Sequence, residues 1–324
     1  MYCHPPPEPA PKFGTCGDCH CINGEKPCPS DPSRMPLTEV SDDWLKQLQS
    51  MDATNPINMT CNPYNTTDYL NCSSPPMKEY QVELWETAVC GHVYDMDSLG
   101  KNQCPTKYEM VTYDSKEEME KAGAVMTHWG ACGACSTSKD FGVYLEYSDL
   151  TAKGQECAIR GLPTFGGSFQ EGVSCFQEVG YTYPCAEMWM YNVINTRNQC
   201  FDVCFDFTFV GDGLNNGPPP ECKIANCLLC DERMSGPYFQ TVAARSRRRS
   251  GLLSKIARSC DIILIVDHQH PCDVTREKLR RELQGPSDKR ITAPPKFTAP
   301  APSETCIFIN DDLGLTSYET KETN

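Results

Sequence analysis

Apolar and polar positions alternate most clearly between residues 106 and 160. Residues 108–113 alternate with a period of two, which predicts a strand. Ser115-Lys116-Glu117-Glu118 is a capping box, predicting a short helix that ends at Gly123. Residues 124–127 read as a second strand. A small-residue turn follows from His128 to Ser136, and Ser136 or Ser138 is placed to cap a helix over 140–147. Strand, helix, strand, loop and helix in that order is the logic of an α/β layer.

Elsewhere the pattern is sparser. A helix is expected over 41–50, with Asp42 and Asp43 at its start, where carboxylates favour the positive end of the helix dipole. A second helical stretch covers 80–89. Residues 184–204 read as a helix opened by Pro184, with Trp189 and Val193 in its buried stripe. Cys200 and Cys204 stand four apart on it and so share one face. Residues 237–249 look helical, and the β-branched run 262–266 looks like a buried strand. A last helix over 273–284 has Asp273 as N-cap, a Glu277–Arg281 pair and Gly285 as its stop.

These elements suggest three parts: a Cys/Pro-rich N-terminal arm (1–35), a main disulfide-stapled α/β-type domain (36–285, with its core from about 61), and a flexible Pro/Ala/Thr-rich tail (286–324). The expected fold class is α+β or α/β, with a disulfide-rich core, a mixed sheet, several helices and long irregular segments.

Composition changes the picture in one direction. The 324 residues include 22 cysteines, an even number that a reducing compartment does not sustain, so most are expected in disulfides. Asn58-Met59-Thr60, Asn65-Thr66-Thr67 and Asn71-Cys72-Ser73 are acceptor sequences for N-linked glycans, which are therefore expected at Asn58, Asn65 and Asn71. A net charge of −14 argues against a nucleic-acid partner, which would demand a basic face. The longest apolar run, 262–266, is far too short for a transmembrane segment. Met1-Tyr2-Cys3-His4 begins no apolar signal core, so secretion implies a signal peptide already removed. The chain thus reads as a secreted, extracellular glycoprotein that binds a ligand or partner at a surface or in a matrix.

Several strings are specific enough to carry a likeness: residues 127–140, Asp149-Leu150-Thr151, Cys230-Asp231-Glu232, Ser235-Gly236-Pro237, the run Arg245–Arg249 and Ser250-Gly251-Leu252. Together, from roughly Cys61 to His270, they resemble a family of uncharacterised secreted cysteine-rich proteins predicted in diatoms and related microalgae. The resemblance implies secretion and a shared fold, and it brings no catalytic residues with it.

Four groups of residues have candidate chemistry. Cys132-Gly133-Ala134-Cys135, between a strand and a helix, has the spacing of a thiol–disulfide oxidoreductase; the alternative is two structural cysteines bridged elsewhere. Asp267-His268-Gln269-His270 follows the apolar run, and His128 follows another expected strand. If the two strands run parallel in one sheet, these side chains converge on a cleft or a metal ion; otherwise they are loop histidines. Cys16-Gly17-Asp18-Cys19-His20 has the haem c attachment pattern, which Cys21 and the loop-rich setting disfavour. Arg245, Arg247, Arg248 and Arg249 form a basic cluster. It would bind an anion, be cut by a furin-like protease, or pair with acids such as Asp231 and Glu232. The sequence lacks a Gly-x-Ser-x-Gly elbow, a P-loop, an EF-hand loop and His-Glu-x-x-His, which leaves an extracellular enzyme only as an alternative with scattered residues.

Overall fold

Helix starts are set by local chemistry. In this computed structural model, which describes residues 40–77, 87–205, 214–218, 222–257 and 263–284, Ser41 caps helix α1 (Asp42–Ser50) by accepting from the Trp44 amide. The N-terminal arm with Cys16, Cys19 and His20, the tail from 286, and residues 80–86 of the expected helix lie outside the described residues; Val89 already belongs to a strand.

Short strands β1 (Asp52–Ala53), β2 (Asn58–Met59) and β3 (Ser73–Ser74) follow. β4 (Val89–Tyr94) comes next, then β5 (Lys107–Tyr113). Ser115 caps helix α2 (Lys116–Lys121) through the Glu118 amide, and Gly123 takes the left-handed φ of 69° that turns the chain into β6 (Val125–Trp129). The four-stranded sheet has the order β1-β5-β4-β6. β4 runs antiparallel to both β5 and β6, and only β1 is parallel to its neighbour β5.

The helical layer follows: α3 (Ser138–Glu146), α4 (Thr151–Gly161), α5 (Phe169–Val179), the long α6 (Tyr183–Phe205), α7 (Asn226–Met234), α8 (Gly236–Val242) and α9 (Pro271–Gln284). Sheet and helices share one apolar core that includes Met51, Tyr108, Val173, Met188, Met190 and Val242. The fold is α+β and rich in disulfides, as the sequence led us to expect.

Seven disulfides join described residues: Cys61–Cys72, Cys90–Cys132, Cys104–Cys272, Cys135–Cys185, Cys157–Cys175, Cys200–Cys230 and Cys204–Cys227. Cys200, where α6 is kinked, and Cys204 both bridge from α6 to α7, so two clamps hold that helix pair. Cys157–Cys175 does the same for α4 and α5.

Some expectations are corrected. The cap of α3 is Thr137, whose hydroxyl accepts from the Asp140 amide, because the Ser136 hydroxyl bonds His128 and Ser138 bonds Tyr108. Residues 263–266 form no strand. Their backbone is satisfied piecemeal, the Leu264 amide donating to Arg248 O and the Ile265 carbonyl accepting from Trp129 Nε1. The helix expected over 237–249 stops at Val242, since Ala244 turns to a φ of 66° and carries Arg245 inward. The last helix starts at Pro271, which suits a first-turn position, so Asp273 sits inside the first turn rather than capping it.

Candidate functional site

The arginine segment is the link between sheet and helices. Arg245 is fully buried, which is costly for a cation unless every donor is met. Here they are met. Nε donates to Cys135 O at 2.9 Å, and Nη1 donates to Thr127 O at 3.1 Å and Ser250 Oγ at 3.2 Å. Nη2 donates to Thr127 Oγ1 and to Ser136 O. The guanidinium also lies over the Phe141 ring, 4.9 Å from its centroid. Burial lowers its pKa to about 10, with the nearby Asp140 charge opposing. Asp140 is itself buried, which raises its pKa, while hydrogen bonds from Thr137 and Thr182 and the Arg245 charge pull the other way.

Two histidines on the sheet close this network. His92 Nε2 lies 3.0 Å from Ser136 O, and burial followed by the Arg245 charge drives its pKa down to about 3. His128 Nδ1 lies 2.8 Å from Trp129 O. A carbonyl only accepts, so Nδ1 holds the proton and Nε2 receives the Ser136 hydroxyl at 2.7 Å. That pairing resembles an activated serine, yet both side chains are fully buried and neither lines the cleft described below. His268 joins from the irregular segment, stacked on Phe141 at 4.4 Å with Nε2 2.7 Å from Ser250 O.

The sequence candidates therefore part company. His128 and His268 both face the Arg245 network, and they come from one strand and one irregular segment, not from parallel strands. His270 instead lies against α1, 5.5 Å from the Trp44 ring and 3.5 Å from Asp43 Oδ2, and Asp267 is exposed. Among the described residues no group of three or more His, Cys, Asp or Glu is placed to hold a metal ion. Cys132 and Cys135 are bonded to Cys90 and Cys185 and not to each other, and every described cysteine is in a disulfide, which leaves no thiolate there for redox exchange.

The other arginines hold backbone. Arg247 donates to Leu253 O at 3.0 Å and to Tyr147 O, and Arg249 donates to Gln240 O at 2.6 Å. Arg248 differs: its half-buried guanidinium meets no hydrogen-bond acceptor among the described residues. Asn58, Asn65 and Asn71 are all exposed on the β2–β3 region, whose connection the Cys61–Cys72 disulfide closes.

A feature that the sequence did not announce lies beside this segment. A cleft of about 350 Å³ opens between α4, α6, α7, α8 and residues 246–256. Its lining is mostly apolar. The Trp189 ring, packed on Phe176 at 5.9 Å and Phe239 at 4.5 Å, joins the cleft to the core. Ile159, Phe165, Phe201 and Phe205 line it while remaining 39–43% exposed. Large apolar side chains gathered at an opening in this way mark a binding surface more often than a solvated face. Asp231, also in the lining, accepts from Asn192 Nδ2 at 2.9 Å and from Thr196 Oγ1. Trp189 and Gln155 line the cleft too; their Nε1 and Nε2 atoms are buried and have no hydrogen-bond partner among the described residues.

Fold and site thus define a disulfide-rich α+β protein with an open apolar cleft. Residues 169–266 match a family described as "Family of unknown function (DUF8771)", under a third of the chain. That stretch runs from α5 through the arginine segment and supplies the α6, α7 and α8 side of the cleft; the α4 side lies outside it. No curated protein and no solved structure matches.

Proposed function

We propose that this chain is an extracellular binding glycoprotein whose ligand sits in the apolar cleft between α4, α6 and α7. The cleft carries the reading: it has the volume of a small-molecule site, roughly 300–1,000 Å³, and displays aromatic side chains at its opening. Extracellular residence is supported by the disulfide pairing of every described cysteine and by the likeness to secreted cysteine-rich proteins. No described helix is long and apolar enough to cross a membrane. N-linked glycans at the exposed Asn58, Asn65 and Asn71 belong to the same reading.

The test is uptake of Nile red, an uncharged dye that fluoresces in apolar surroundings. Saturable binding by the folded chain is expected, weakened at least tenfold in a Phe201→Ser/Phe205→Ser double variant. Both side chains are exposed, so that variant should fold normally. No saturable uptake contradicts the proposal.

A further inference from the structure

The cleft carries information about the polarity of its ligand as well as its size. An apolar ligand would be served by an apolar lining alone, yet three nitrogen groups in this lining lack acceptors. Trp189 Nε1 and Gln155 Nε2 are buried donors with no partner among the described residues. The Arg248 guanidinium is half-buried with no acceptor among the described residues, and it stands beside a second cation, Arg249. An unsatisfied buried donor is costly, and an unpaired, partly desolvated cation more so. Such groups are tolerable where a ligand supplies what they lack. The lining holds three carboxylates, Asp149, Asp231 and Glu232, and none of them is hydrogen-bonded or ion-paired to Arg248. Asp149 accepts from the Thr151 amide and Asn215 Nδ2, and Asp231 accepts from Asn192 and Thr196.

We infer that the ligand is an amphipathic long-chain carboxylate, its chain against Ile159, Phe201 and Phe205 and its carboxylate on Arg248. This rests on the cleft being the binding site. A carboxylate offers two acceptor oxygens in the plane that a guanidinium fork matches, which a hydroxyl head does not.

The experiment is displacement of bound Nile red by dodecanoate and by dodecanol, at neutral pH and below the concentration at which either aggregates. The chains are the same length, so the apolar contribution cancels. Dodecanoate should displace the dye at about tenfold lower concentration than dodecanol, the ratio a charge-assisted hydrogen bond gives. The ratio should fall to near one in Arg248→Gln and survive in Arg248→Lys. If the dye binds but the two competitors act equally on the unaltered chain, the carboxylate inference fails and the binding reading stands. A preference that persists in Arg248→Gln overturns the assignment of the head group to Arg248. A chain that takes up no dye, its cleft closed by another segment or by a protein partner, overturns both.

Discussion

Arg245 shows how a residue that reads as surface charge becomes the centre of an interior. Its guanidinium donates to Thr127, Cys135, Ser136 and Ser250, which lie on β6, on the loop after it and on the segment after α8. Removing it strands buried carbonyl oxygens and leaves a cavity beside Phe141. Arg245→Met should therefore cost about 3–5 kcal/mol in denaturant unfolding, the range for breaking a buried charged network. Lysine should not rescue it, since one ammonium cannot reproduce the planar fork. A loss below about 1 kcal/mol would contradict this account. The same burial bears on processing. A furin-like protease should leave the folded chain uncut at Arg245–Arg248 and cut it only after reduction and unfolding, as read on a reducing gel.

The histidines around Arg245 add a pH dependence. Both His92, near 3, and His268, near 4, are held below the ordinary 6.5, first by burial and also by the Arg245 charge; the Ser136 and Ser250 carbonyls oppose this. The unfolded chain takes up these protons before the folded one does. Stability is therefore full above about pH 6.5 and declines as pH falls toward 4. Each tenfold gap in proton affinity between the unfolded and folded chain is worth about 1.4 kcal/mol. Asp140, whose pKa burial raises, works in the opposite sense and offsets part of the loss. Denaturant melts from pH 7 to 4.5 should show the decline, with a shallower slope in His92→Gln; a flat profile would contradict it. No sequence rule reveals this network, because arginine and histidine side chains in an acidic chain look solvated until the fold places them.

At the scale of elements, the α4–α5 crossing depends on two glycines. A Cβ on Gly172 would lie 2.3 Å from Met190 Sδ and 2.7 Å from Gly161 Cα. The methionine can move aside, but the Gly161 backbone cannot. Gly172→Ala should lower stability by about 1–3 kcal/mol, measured as a shift in denaturant midpoint. The disulfides make a second element-scale prediction. Non-reducing peptide mapping should recover Cys200–Cys230, Cys204–Cys227, Cys90–Cys132 and Cys135–Cys185. A Cys132–Cys135 bridge would contradict the fold.

Elements with strong local signals were legible in the sequence. Ser115 and Gly123 frame α2, alternation marks β5, and Cys200 and Cys204 announce a clamped face of α6. β4 was not legible. It sits centrally in the sheet with its first four residues, Val89, Cys90, Gly91 and His92, all buried, so no alternation survives. α4 and α5 were hidden by Gly154, Gly161 and Gly172, which weaken a helical pattern, although Gly161 and Gly172 serve close packing here. The run 262–266 misled in the other direction: its described residues, 263–266, form an irregular segment in which Val266 is buried against Val89 and Met126.

On the scale of the whole molecule, the cleft is a product of tertiary assembly. Its lining comes from five helices (α3, α4, α6, α7 and α8), the residues flanking α4 and the arginine segment, which are far apart in sequence, so no motif announces it. The exposure of Ile159, Phe165, Phe201 and Phe205 marks it, and exposure is a property of the fold. Disulfides between α4 and α5 and between α6 and α7 brace the helices around it, so the cleft should be preformed rather than shaped by its ligand. The most direct test is photolabelling of the folded, oxidised chain with an uncharged alkyl diazirine, the adducts located by peptide mass spectrometry. Labels concentrated at Ile159, Phe165, Phe201 and Phe205, and lost with excess dodecanoate, are the result this account predicts. Labels spread over the surface, or gathered elsewhere with these four residues bare, would contradict it.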